Sequence, residues 1–399
     1  MIKLTQTDEW YAYLRDRSSI ALVVFVMITA VLGGCATVDR GVAVPRELTT
    51  EAAIPGYEDI RYSHGESEHR FRKEFIMAIK AGRALGTRVN ILAISGGGAD
   101  GAFGAGLLSG WTARGDRPEF QIVTGVSTGA LTSPFAFLGS EYDDQLHTAY
   151  TTLHDEDVFR TRNIFAIIRG DSFATTGPLY QTISNYIDET ILRAVAREHA
   201  RGRRLFILTT NLDTQRPVVW NMGAIAASGR EDALDLFRRI IIASASIPVA
   251  FPPQYIEVSA RGENYTEMHV DGGLMDQVFL HLPTSNLARN KSGNSDLRVY
   301  VIRNSKVAGE YSAMTAFIIP IVTRTIASLV KSQGLGDLFE IYEQTQEAGA
   351  EYRLAFVPDD MEVDHHDMFD PEAMKKMFDE AFSMARDGYP WRLHPPEEF

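Results

Sequence analysis

The sequence predicts an α/β fold built on a mainly parallel central sheet. Three observations carry that prediction. Residues 88–95 (Arg-Val-Asn-Ile-Leu-Ala-Ile-Ser) have the length and apolar content of a buried strand, and they run into a glycine turn and a small-residue helix through Trp111. A second apolar run, residues 120–124, leads in the same way through Gly125-Val126-Ser127-Thr128-Gly129 into another helix. A third, residues 204–210, follows two helix-like stretches at 143–153 and 179–200. Strands alternating with helices imply parallel pairing, because a parallel neighbour needs a crossover long enough to hold a helix.

The 399 residues suffice for one large domain or two smaller ones, and 45% apolar against 23% charged residues supplies material for a core. A formal net charge of −13 argues against a nucleic-acid surface and offers no attraction to anionic lipid headgroups. A single cysteine excludes an internal disulfide framework and a Cys-rich zinc site.

Residues 20–32 are almost wholly apolar and follow Arg15 and Arg17. The stretch has the length of a signal h-region and falls short of the ~20 residues that a spanning helix needs. It ends Leu32-Gly33-Gly34-Cys35, followed by Ala36, and resembles a bacterial lipobox, in which the Cys35 thiol receives a diacylglycerol. The alternative is a buried cysteine after an uncleaved anchor. The first reading makes residues 1–34 a lipoprotein signal peptide and residues 35–66, with Pro45, Pro55 and Gly56, a lipidated tether on a membrane. Ala36 in place of Asp after the cysteine points to the periplasmic face of an outer membrane.

Residues 67–85 carry apolar side chains at helical spacing and precede the first strand. The turn that follows it, Gly96-Gly97-Gly98-Ala99-Asp100-Gly101, presents unpaired backbone N–H groups to a negative group. One reading is a dinucleotide fingerprint, which requires the next strand to end in an acidic residue. That strand ends instead at Gly125-x-Ser127-x-Gly129, a turn that lifts a serine hydroxyl above a sheet edge. With Gly96, Gly97 and Gly98 as an oxyanion hole, the two turns become one device at the same edge. Downstream, residues 217–221 are a hairpin partner for 204–210, and residues 233–245 form a helix that stops before Pro248. Met268-His269-Val270-Asp271-Gly272-Gly273 then delivers an aspartate to a glycine turn, which is either turn chemistry or a catalytic acid.

Taken in order, Gly96-x-Gly98-x-x-Gly101, Gly125-x-Ser127-x-Gly129 and Asp271-Gly272-Gly273 resemble the patatin-like phospholipase family, over about residues 89–304. The resemblance implies a three-layer α/β/α hydrolase core in residues 67–305, with Ser127 as nucleophile and Asp271 as base. Residues 306–399 become a helical extension packed on that core. It further implies a lipid or acyl-ester substrate, backbone donors most directly at Gly97 and Gly98, and neither a cofactor nor a catalytic metal. The chain departs from many members at Asp100, where they carry Arg or Lys, so a weaker preference for anionic headgroups is expected.

Histidine leaves two alternatives open. His269 lies two residues from Asp271, on the same face if that segment is extended; Ser127, Asp271 and His281 follow the chain order of a histidine triad. A non-catalytic lipid- or nucleotide-binding protein is the alternative of a different class. Residues 164–177 form an apolar loop that borders either the core or an acyl-chain entrance. Residues 297–302 read as the last strand and 313–330 as a packed helix. Residues 359–370, with His365 and His366, read as a solvated acidic loop rather than a metal site.

Overall fold

The computed structural model describes residues 40–63, 66–86, 88–161, 174–175, 177–282, 296–311, 313–361, 363 and 368–396. They belong to one compact unit, residues 40–161 and 172–399. The signal segment with Cys35, most of the apolar loop at 164–177, and His365 and His366 lie outside the described residues.

Among the described residues nine strands form one sheet. In chain order they are β1 (Arg61–Tyr62), β2 (Val89–Ile94), β3 (Ile122–Gly125), β4 (Arg204–Asn211), β5 (Arg216–Asn221), β6 (Gln254–Ala260), β7 (Glu263–Asp271), β8 (Leu297–Arg303) and β9 (Glu351–Phe356). The path across the sheet is β1-β5-β4-β3-β2-β8-β9, with β7 paired to β4 and β6 paired to β7. Strands β2, β3, β4, β8 and β9 are parallel to one another, as their helical crossovers require. Strands β1, β5, β6 and β7 join through antiparallel pairs.

Period-two alternation divides the core. Leu92, Ile94, Val123, Leu205 and Ile207 face one apolar cluster; Ile91, Ala93, Ile122, Phe206 and Leu208 face the other. Both faces of the sheet are covered, which explains strands that are apolar throughout. Helices α1 (Glu66–Ala84) and, through its second half, α8 (Ile318–Ala348) cover the second face. The first face carries α2 (Gly101–Arg114), α3 (Thr128–Leu138), α4 (Asp143–Thr151), α5 (Gly177–Tyr186), α6 (Glu189–Ala200), α7 (Ala233–Ser244) and α9 (Pro371–Gly388). The small residues of α2 have a packing reason. A Cβ on Gly106 or Gly110 would come within 2.2 or 2.1 Å of the carbonyl oxygens of Phe378 and Phe382 on α9.

Three expectations change. The tether reading of residues 35–66 does not hold from residue 40 onward: Leu48, Ile54, Tyr57 and Ile60 are buried, and Tyr62 pairs with Val219. The expected helix at 179–200 is two helices, α5 and α6, and the second is capped by Asp188, whose Oδ1 accepts from the amides of Thr190 and Ile191. Residues 306–399 are more than a helical extension, because β9 pairs in register with β8 from Arg298↔Glu351 to Arg303↔Phe356.

Candidate active site

Strand β4 sets the geometry. Its first half runs beside β3, with Gly125 opposite Ile207, and its end runs beside β7, with Thr209 opposite Asp271. Ser127 is two residues beyond Gly125, and Thr209 is two beyond Ile207. The chain leaving β3 and the chain arriving on β7 therefore meet at one place. There Ser127 Oγ donates to Asp271 Oδ2 at 2.6 Å, and both residues are buried.

The turn around Ser127 is sharp. Ser127 has φ 54° and ψ −122°, a conformation that costs a non-glycine residue about 1–3 kcal/mol and needs support from its surroundings. The flanking glycines supply clearance: a Cβ on Gly125 would meet the carbonyl oxygen of Gly129 at 2.4 Å, and one on Gly129 would meet that of Ile94 at 2.3 Å. Ser244 pins the turn from α7, accepting the Ser127 amide at 3.0 Å and donating to Leu208 O at 2.6 Å.

Asp271 accepts from Ser127 on one oxygen and from the Gly273 amide on the other, at 2.7 Å. Burial raises its pKa to about 7, against the two hydrogen bonds, which favour the charged form. A carboxylate held there can accept a proton near neutrality. Gly272 lets the turn close on β4, since a Cβ would lie 2.5 Å from Leu208 O.

The glycine loop after β2 faces this pair. The expected third donor is not available, because the Gly96 amide is already bonded to Gln277 O at 3.0 Å. The amides of Gly97 and Gly98 have no partner among the described residues, and Gly98 takes a left-handed φ of 59°. Gly101 starts α2 against Thr128, with room for no side chain: a Cβ would stand 2.2 Å from Thr128 Oγ1. Sequence reasoning missed the residue that holds the loop. Asn304, fully buried after β8, donates from its amide to Ser95 Oγ at 2.8 Å and from Nδ2 to Ser95 O at 3.0 Å. Its Oδ1 accepts from Gly104 N at 3.0 Å. Its signal was an amide side chain following a strand, which is too common to single out.

Neither histidine reaches the pair. His269 is fully buried, but its ring bonds Thr209 Oγ1 at 2.9 Å and Glu267 Oε2 at 3.0 Å. Glu267 is in turn paired with Arg61 at 2.5 Å, so His269 belongs to a structural network. His281 is exposed and lies edge-on to Phe71 of α1, 5.8 Å between ring centres, on the helical layer of the second core cluster.

Two cavities meet at Ser127. A narrow chamber runs inward between α3, α4, α5 and α7, past Leu131, Phe135, Ile183 and Ile241. A wider mouth is bordered by Gly97, Gly98, Asp271, Arg303 and Lys331. An apolar chamber, a mouth with charges and a serine between them are complementary in shape and charge to a ligand with one apolar and one polar end.

Residues 92–283, just under half of the chain, match the model of the patatin-like phospholipase family. That family is one of lipid acyl hydrolases. Among solved structures the chain is similar to the crystal structure of VipD from Legionella pneumophila, at 11% identity and a TM-score of 0.33, covering 76% of this chain and 67% of that one. No curated protein matches it.

Proposed function

We propose that the protein hydrolyses acyl esters of lipids, with Ser127 as nucleophile, Asp271 as general base and the amides of Gly97 and Gly98 as the oxyanion hole. The observation that carries this is the 2.6 Å Ser127–Asp271 hydrogen bond at the junction of the two cavities. An alcohol is a weak nucleophile until a base takes its proton during attack. Ser127 Oγ attacks the ester carbonyl carbon while its proton passes to Asp271. The carbonyl oxygen becomes an oxyanion and accepts from the two free amides. Collapse breaks the ester C–O bond, Asp271 returns the proton to the departing alcohol, and an acyl-serine remains. Water then attacks with Asp271 again as base, releasing the fatty acid and restoring Ser127.

The test is covalent labelling of the full chain by an alkyl fluorophosphonate, with turnover of a short-chain p-nitrophenyl ester measured alongside. Wild type should label and turn over, and Ser127→Ala should do neither. An unlabelled wild-type protein would favour a non-catalytic binding role. Cys35 supplies the anchor in this reading, at the periplasmic face of an outer membrane. Palmitate incorporation in cells should disappear in Cys35→Ala, and persistent incorporation would refute the anchor.

A further inference from the structure

Arg303 ends β8 and lines the mouth, yet its residue is only 2% exposed. Other buried arginines have carboxylate partners: Arg117 with Asp143 at 2.7 Å, Arg203 with Glu198 at 2.8 Å and Arg204 with Glu74 at 2.7 Å. Arg303 makes one hydrogen bond, a long one from Nη2 to Lys331 O at 3.4 Å, and its buried Nε has no partner among the described residues. Asp337 contributes to the local field, but its oxygens are engaged by the amides of Gln277 (2.6 Å) and Val278 (3.2 Å) and by Gln333 Nε2 (3.0 Å). A guanidinium stays charged at neutral pH, and burying it without a partner is costly. Lys331 adds a second cation to the same wall, held by Ala308 O and, at 3.3 Å, by the half-exposed Glu310.

We propose that Arg303, assisted by Lys331, is the subsite for the phosphodiester of a lipid headgroup on the leaving-group side of Ser127. The guanidinium fork matches two phosphate oxygens, and Arg303 lines the cavity that also holds Asp271. This rests on the acyl-hydrolase reading for which end of the ligand reacts. It also supplies, from β8, the positive charge that the glycine loop lacks at Asp100.

The experiment measures binding rather than turnover, in full-length Ser127→Ala protein. The probes are short-chain phosphatidylglycerol, a diacylglycerol of the same acyl length and inorganic phosphate, with the lipids in nonionic micelles. Adding Arg303→Met should weaken phosphatidylglycerol binding by about tenfold or more and change diacylglycerol binding by less than about threefold. Arg303→Lys should recover part of the loss. Equal loss for both lipids, or no loss for either, would overturn the subsite. Binding of inorganic phosphate more tightly than the phospholipid would overturn the headgroup assignment in favour of free phosphate. If the Arg303 dependence holds while wild type neither labels nor turns over, the subsite stands and the hydrolase reading fails.

Discussion

The chamber and the mouth share Gly98, Ser127, Ile247 and Phe251, and beyond those residues they differ in kind. Among the described residues no charged side chain lines the chamber, and its tyrosine hydroxyl at Tyr150 is satisfied internally by Thr128 and Thr132, both at 2.8 Å. The mouth carries Asp271, Arg303, Glu310 and Lys331. Apolar walls reward a chain by the methylene, whereas charges in a partly closed cleft reward one functional group at one place. Under the proposed function the contrast orients the ligand, with the acyl chain in the chamber and the alcohol portion in the mouth.

The largest effect should come from the carboxylate bonded to the serine where the two meet. Asp271→Asn should lower kcat/KM on a p-nitrophenyl ester by about a thousandfold or more, since the amide cannot take the serine proton. Retention of more than about a tenth of the activity would remove Asp271 as base. With Asp271 as the proposed base the active form is the carboxylate, so kcat/KM should rise with pH to a plateau, with a midpoint near the pKa of about 7. A flat profile from pH 5 to 9 would break the assignment.

Stability should move the other way. The folded-state pKa of Asp271 is raised, so the fold holds more protons than the unfolded chain between about 4 and 7. The contribution of Asp271 to stability is full below the unfolded pKa and is lost as pH rises through about 7. Asp276 and Asp337, raised by burial to about 7 and about 6, act in the same window, so the comparison must be between wild type and variant. Asp271→Asn should therefore gain in Tm relative to wild type at pH 8 compared with pH 4. An unchanged difference would contradict the buried carboxylate.

A smaller effect separates the cavities. Each methylene added to the acyl chain should raise kcat/KM by up to about fourfold until the chamber is full. Leu131→Trp, on the chamber wall, should bring that plateau to shorter chains while leaving short-ester turnover within about threefold. An unaltered chain-length profile would move the acyl group elsewhere. The smallest effects belong to the histidines. His281→Ala should leave kcat/KM within about twofold, and His269→Ala should lower stability by about 1–3 kcal/mol through its lost hydrogen bonds to Thr209 and Glu267 without shifting the pH midpoint. A shifted midpoint in either variant would restore a histidine to the mechanism.

What could be read from the chain was whatever depends on neighbours in sequence. The strand, turn and helix around Ser127 are local, and so is the glycine loop; both were legible from spacing alone. The alignment of Asp271 with Ser127 depends on the register of β4 with two other strands, which no local pattern encodes. The diversion of the Gly96 amide to Gln277 and the burial of Arg303 are equally long-range. Residues 40–62 resemble a linker because their buried side chains are widely spaced among polar ones. Strand β9 was legible in principle, since Tyr352 and Leu354 alternate with Glu351 and Arg353, but six residues between two helices are a weak signal.

The latch at Asn304 has a temporal consequence. It joins Ser95 and Gly104, on either side of the glycine turn, to a residue 209 and 200 positions further along, and β8 must be in place before the loop acquires its shape. Closing so long a stretch of chain is entropically late, as for any contact of high sequence separation. A chain growing from the ribosome would display its serine turn long before it owned a set of aligned donors, so the reactive state should arise only after β8 and Asn304 have been made. Purified fragments ending at residue 296 should label with fluorophosphonate at least about a hundredfold more slowly than the full chain; labelling at the full rate would show that the loop shapes itself.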